Sequence, residues 1–229
     1  MLKLHQELRQ ALERVADPAK AEPMRRYMKS AIPYLGVQTP ALRKACREVF
    51  HGRPLASALL WRKACLSIWR NAKYREERYS ALELTGHRLY RQYQTFDTLL
   101  MYEEMVVTGA WWDYVDMIAA HRLGPLLLDY PAAMKRTMLQ WSRSRDMWKR
   151  RSAILCQLSF KKQTDLKMLY LCIEPSFGSK EFFLQKAIGW ALRQYAWIDA
   201  REIARYVDQH KVRLSALSKR EALKNISRR

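Results

Sequence analysis

Apolar residues recur at helical spacing along almost the whole chain, and the helices this spacing predicts come in pairs. First helices of successive pairs are expected to begin near Leu59, Phe96, Pro131, Thr164 and Asp199. Second helices are expected near Arg75, Trp111, Trp148, Phe182 and Ser218. Both series step by roughly 35 residues, a period typical of stacked helical hairpins. One hairpin cannot bury its apolar face alone, so the period favours an array in which each pair covers its neighbour. No segment alternates as a half-buried strand would. Turn signals at Gly36 to Pro40, Gly124-Pro125, Tyr130-Pro131 and Pro175 to Gly178 fit the same register. Thr164, Asp199 and Ser218 are expected as N-caps.

The expected fold is therefore all-α: a curved α-solenoid of degenerate HEAT-like repeats, forming a single domain over residues 1–229. An irregular helical bundle is the competing architecture, and the regular step favours the solenoid. Second helices would line its concave face, where extended ligands bind.

Charge then narrows the partner. The chain has 42 Lys+Arg against 22 Asp+Glu, a formal net charge of +20, which argues for a polyanion. A membrane surface is the rival, but the basic residues are spread along the chain and not confined to one amphipathic tail. No apolar run is long enough to span a bilayer. The N-terminal stretch lacks a signal peptide's apolar core and reads as a first amphipathic helix, with Leu2, Leu4, Leu8 and Leu12. Cys46, Cys65, Cys156 and Cys172 fall in apolar helical patterns without close pairing, as buried thiols in a reducing compartment do. No Cys/His cluster has zinc-ligand spacing. A cytoplasmic monomer is the expectation, with a basic groove able to take duplex DNA.

Within this frame, Trp112, Arg151 and Trp190 are separated by 39 residues and then 39 again, each in a second helix of a pair. Residues at the repeat spacing come to lie side by side on one surface. In 182–195 the apolar stripe runs Leu184, Ile188, Ala191, Tyr195, and Trp190 lies about 200° from Ile188. Its neighbours there are Lys186 and Arg193. Two readings stand for Trp190: packing on the next repeat, or contact with nucleic acid. Arg151 occupies an apolar stripe with Trp148, Leu155 and Leu158. It is either half of a structural salt bridge or a phosphate clamp, and Asp116 is a partner that DNA binding would free. Trp111, Val115 and Ile118 form the expected core stripe of their helix, while Trp112 and Asp116 project together from another face. Surrounding cations are expected to favour ionised Asp116. Asp113, at the helix start, reads as a cap or dipole partner, which leaves Asp116 as the candidate for chemistry.

Cleaving a glycosidic bond builds positive charge on the sugar. A fixed carboxylate stabilises that charge and orients water, and aromatic faces favour a developing cation. A base alkylated at a ring nitrogen is already cationic and leaves neutral, so one carboxylate suffices.

At these residues the chain resembles the AlkD-like DNA alkylation repair enzymes, bacterial glycosylases built of HEAT-like repeats. The resemblance rests on residues 21–30 and 34–40, WWDYVD at 111–116, RRSAILCQL at 150–158, and 182–195 running on to 210–224. It implies excision of cationic 3- and 7-alkylated purines from duplex DNA, without metal or organic cofactor and without flipping the base into a pocket. It places the catalytic aspartate at Asp116, the lesion-facing tryptophans at Trp112 and Trp190, and the phosphate-contacting arginine at Arg151. It also implies that Tyr27 and Gln38 lie near the DNA, although Tyr27 taken alone reads as a helix-packing residue. Lys219 and Arg220, in the SKREA segment, are further candidates for backbone contact, as are Lys186 and Arg193. Three rivals stand beside this: a non-catalytic DNA- or lesion-binding protein, a scaffold for acidic proteins, and a glycosylase specialised for a bulky natural-product adduct.

Overall fold

The computed structural model describes residues 2–51 and 54–226, and among these every regular element is helical. The chain divides into two compact units, Met1–Met101 and Tyr102–Arg229.

The first unit holds α1 (Leu2–Glu13), α2 (Pro18–Tyr27), α3 (Thr39–Phe50), α4 (Ala58–Arg70) and α5 (Arg75–Thr85), followed by two 3₁₀ turns, Arg88–Tyr93 and Phe96–Thr98. Helix α3 packs on α1 and α5, and α4 packs on α5. Leu8, Leu12, Phe50, Trp61, Ile68, Trp69 and Leu82 are buried between them. Two consecutive acids at the start of α5 tie the unit together. Glu76 accepts from the N–H groups of Leu35 (3.1 Å), Gly36 (2.9 Å) and Val37 (3.0 Å), satisfying a loop that would otherwise bury bare donors. Gly36 in that loop has φ 82°, and a Cβ there would lie 2.0 Å from the Asp17 carbonyl oxygen, so only glycine fits. Glu77 caps its own helix by accepting from the Lys73 and Tyr74 N–H groups at 2.5 and 2.8 Å. Its other oxygen accepts from His5 Nε2 and Arg9 Nε, both at 2.8 Å, which fastens α1 to α5.

The boundary between units falls in α6 (Leu99–Gly109). The second unit continues with α7 (Trp112–Ile118), α8 (Gly124–Asp129), α9 (Pro131–Trp141), α10 (Met147–Leu155), α11 (Leu166–Ile173), α12 (Phe182–Ala196), α13 (Ala200–Gln209) and α14 (Ala216–Leu223). Helix α12 is central: it packs on α10, α13 and α14, and buries Leu184, Ile188 and Leu192 against Ile154, Leu155, Ile203 and Ala222. Gly189 makes the α12–α14 approach possible, because a Cβ there would meet Glu221 Cβ at 2.5 Å and the Ser218 carbonyl oxygen at 2.8 Å.

The expected helix starts are met within about three residues throughout, as boundary fraying allows. Three local expectations need correction. Gly124-Pro125 does not end a helix: a π turn, Ala119–Leu123, carries α7 on into α8. Pro125 removes a donor there, and the Arg122 guanidinium donates to the His121 carbonyl instead, at 2.8 Å. The N-cap of α11 is Asp165, not Thr164, whose hydroxyl turns back to the Lys161 carbonyl. The N-cap of α14 is Ser215, not Ser218, whose hydroxyl crosses to the Gln185 carbonyl of α12 at 2.9 Å. Asp199 caps α13 as expected. All four cysteines are free and buried, and burial pushes the Cys46 and Cys172 thiols up to about 12.

Candidate active site at the Asp116–Arg151 pair

Helix α7 starts abruptly. Ala110 takes a left-handed conformation (φ 43°), Trp111 is extended, and the helix begins at Trp112. Trp112 and Asp116, four residues apart, therefore share a face, and both are partly exposed. Val115 and Ile118 are fully buried on the core side. Asp113 lies in the first turn, where a negative charge suits the helix dipole. It is a dipole partner and not the cap, since the N-cap residue is Trp111.

Helix α10 delivers Arg151. Asp146 caps it, accepting from the Trp148 and Lys149 N–H groups at 2.8 and 2.9 Å. One turn later Arg151 points across to α7. Its Nε donates to Asp116 Oδ1 at 2.6 Å and its Nη2 to Oδ2 at 2.7 Å, a fork-to-fork pair. Its Nη1 donates to the Phe183 carbonyl in the first turn of α12. The side chains of Arg151 and Asp116 are only 5% and 13% exposed. Thus three helices meet through one guanidinium, and the cation on an apolar stripe is compensated on every branch.

The surroundings are aromatic. Trp111, Trp148 and Phe183 cluster with ring centroids 5.1 to 6.2 Å apart, and the Arg151 guanidinium lies 5.9 Å from the Phe183 ring. The indole N–H of Trp111 is buried without a partner among the described residues. Here a sequence expectation is reversed. Burial raises the Asp116 pKa above the ordinary carboxylate value; Arg151 opposes this only in part, and the Asp113 charge adds to the rise. Desolvation outweighs the pull of the neighbouring cation.

Trp190 is partly buried against the core of the second unit. It sits seven residues after Phe183 on α12, about two turns further along the same side. The cations beside it are not free. Lys186 Nζ lies 3.0 Å from Glu221 Oε1, and Arg193 Nη1 lies 2.5 Å from Oε2 of the same Glu221 on α14. Burial of Glu221 works against ionisation, but these two cations outweigh it and lower its pKa. Lys219 donates to the Lys211 carbonyl at 2.9 Å, and Arg220 is exposed.

Two of the candidate residues lie in the first unit. Tyr27, the last residue of α2, is 77% exposed, so it does not pack a helix as its sequence context alone suggested. Gln38 stands exposed at the N-cap of α3, its side chain making no cap bond. The geometry thus joins Asp116 to Arg151 directly and places Trp112 beside Asp116 on one helix face. Sequence reasoning missed Phe183, which contributes a backbone carbonyl, a group with no side-chain signature. It also missed Glu221, whose distance in sequence from Lys186 concealed the pairing.

Comparison with known proteins bears on family and fold. The family model for the DNA alkylation repair enzyme matches residues 8–226. A predicted DNA alkylation repair enzyme from Enterococcus faecalis shares the fold, with a TM-score of 0.84 at 24% identity over 93% of this chain and 98% of that one. No curated protein matches the chain.

Proposed function

The chain belongs to the family of DNA alkylation repair enzymes, and on that premise we propose that it is a glycosylase excising cationic 3- and 7-alkylated purines from duplex DNA. The observation that carries the reading is Asp116: a carboxylate held at both oxygens by one guanidinium, on the same helix face as the half-buried Trp112, in a chain of net charge +20.

DNA phosphate competes with Asp116 for Arg151, because each presents a pair of anionic oxygens to the guanidinium fork. When Arg151 turns to phosphate, Asp116 gains lone pairs for chemistry. The glycosidic bond then breaks with its electron pair passing to the alkylated ring nitrogen system, and the base leaves uncharged. Asp116 stabilises the cation left on the deoxyribose, Trp112 and Trp190 flank it, and water adds at C1′ while its proton passes to the carboxylate or to solvent. An abasic site remains. The cationic base is its own activated leaving group, so the scheme calls for no metal, no organic cofactor and no general acid. It also calls for no rotation of the base into a pocket. Tyr27, Gln38, Lys219 and Arg220 are assigned to grip the backbone, and Lys186 and Arg193 are assigned there only after exchange with Glu221.

One observation favours a second reading. The closed Asp116–Arg151 pair is also what a purely structural salt bridge looks like, and a lesion-binding protein without activity would show it too. Incubating a methylated duplex with the chain and then nicking abasic sites with an abasic-site endonuclease at neutral pH, beside a control without the chain, separates the two. Breaks at alkylated purines above that control are expected from the glycosylase. Salt-sensitive duplex binding with breaks no higher than the control overturns the enzymatic reading.

A further inference from the structure

An open cavity of about 730 Å³ lies within the first unit, between the C-terminal half of α3, the end of α5 and the turn Arg88–Tyr93. Its size is that of a small-molecule site. The floor is apolar: Phe50 and Cys46 are buried beneath it, with Leu89 at its edge. The half-buried His87 imidazole meets the buried Phe50 ring edge to face, centroids 6.1 Å apart, which leaves the imidazole as the surface for a planar group.

The rim is cationic. Arg47, Arg88 and His51 are exposed around it, and none forms an ion pair among the described residues. A third arginine, Arg43, is taken by Glu83, Nε to Oε1 at 3.1 Å, which leaves Glu83 Oε2 as an acceptor in the wall. His87 reports the field. Burial, then Arg88, then His51 lower its pKa, so the cavity disfavours another positive charge. Its Nδ1 accepts from the Leu89 N–H at 3.4 Å, which assigns the ring proton to Nε2. Loose arginines on a surface are ordinary. Two of them over an apolar, ring-walled cavity with one carboxylate acceptor form a pattern matched by a specific ligand chemistry: an anion attached to a flat body that carries an amino donor.

We propose that this cavity binds a nucleoside monophosphate, either free or as the terminal residue of a nucleic-acid strand. The phosphate rests on Arg47 and Arg88, the base lies against His87 above the Phe50 floor, and an exocyclic amine donates to Glu83. This assignment is independent of the Asp116 chemistry.

Calorimetric titration of the full chain tests it, with adenosine monophosphate, adenosine and inorganic phosphate as probes. The monophosphate is expected to bind at least about tenfold tighter than either fragment. Arg47→Ala and Arg88→Ala are each expected to weaken it about tenfold, equivalent to about 1.4 kcal/mol, with Tm unchanged. A 5′-phosphorylated single strand, compared with the same strand bearing a 5′-hydroxyl, distinguishes the sources. A phosphate-dependent gain that exceeds the free nucleotide assigns the site to strand ends, and the reverse assigns it to free nucleotides. Absence of saturable binding, or binding unaffected in the double Arg47→Ala/Arg88→Ala variant, overturns the proposal.

Discussion

Replacing Arg151 by methionine keeps the length of the stem but removes three donors at once: two to Asp116 and one to the Phe183 carbonyl. The two charged side chains are only 5% and 13% exposed, so the variant strands a largely enclosed carboxylate. Breaking a buried pair from one side costs about 3–5 kcal/mol. For a chain of this size that is a fall in Tm of about 6–20 °C. The loss also has a pH signature. Burial already raises the Asp116 pKa, and without Arg151 it rises further. A carboxyl whose folded pKa lies above its unfolded value binds its proton more tightly when folded, so stability falls as pH rises through that interval. The deficit of Arg151→Met is therefore largest at neutral pH and shrinks as pH drops below the raised value. Asp116→Asn in the same chain removes the stranded charge and should recover at least about half of the loss, a coupling of about 1.5 kcal/mol or more. Chemical denaturation of the four proteins of this cycle at pH 7 and pH 5 measures it. A single-variant cost below about 1 kcal/mol, or the same cost with and without Asp116, would refute the buried-pair reasoning.

Three further outcomes follow from other parts of the molecule. Burial alone would raise Glu77, but hydrogen bonds from His5, the Tyr74 N–H, Arg9 and the Lys73 N–H together lower it to about 2. Its stabilisation is then complete above its ordinary value of 4.5 and lost as pH falls toward 2, so Glu77→Gln should cost roughly 3 kcal/mol at neutral pH and little near pH 2 by urea denaturation. Gly189→Ala should destabilise the second unit by about 1–3 kcal/mol through forced separation of α12 and α14, and an unchanged urea midpoint would show that the helices can part freely. Tyr27→Ala, at a position 77% exposed, should leave stability within about 0.5 kcal/mol while weakening binding to duplex DNA; a large loss of Tm would restore a packing role.

The helical pairs were legible because their signals are local: apolar periodicity, Pro131 and Asp199 at helix starts, Gly178 with φ 72° at a turn. Caps were harder where two candidates adjoin. Thr164 and Asp165 both carry a capping oxygen, and Ser215 and Ser218 differ only in what lies opposite, which is a tertiary fact. The Asp116–Arg151 pair was legible as one of two alternatives because a cation on an apolar stripe demands a partner, and the sequence offered one nearby carboxylate one turn after Trp112. Its electrostatics were not legible. The rise in the Asp116 pKa comes from burial where α7, α10 and α12 meet, which no single segment of sequence announces. Lys186 and Arg193 looked free because Glu221, which holds both, is far off in sequence.

The central claim is that Asp116 performs chemistry and does not merely close a salt bridge. Release of 7-methylguanine from a methylated duplex, followed chromatographically with wild type and Asp116→Asn side by side, tests it most directly. The wild type should release the base steadily, and the variant should lose nearly all release while binding duplex at least as tightly, because Arg151 is then free for phosphate. Release by Asp116→Asn at the wild-type rate would contradict it.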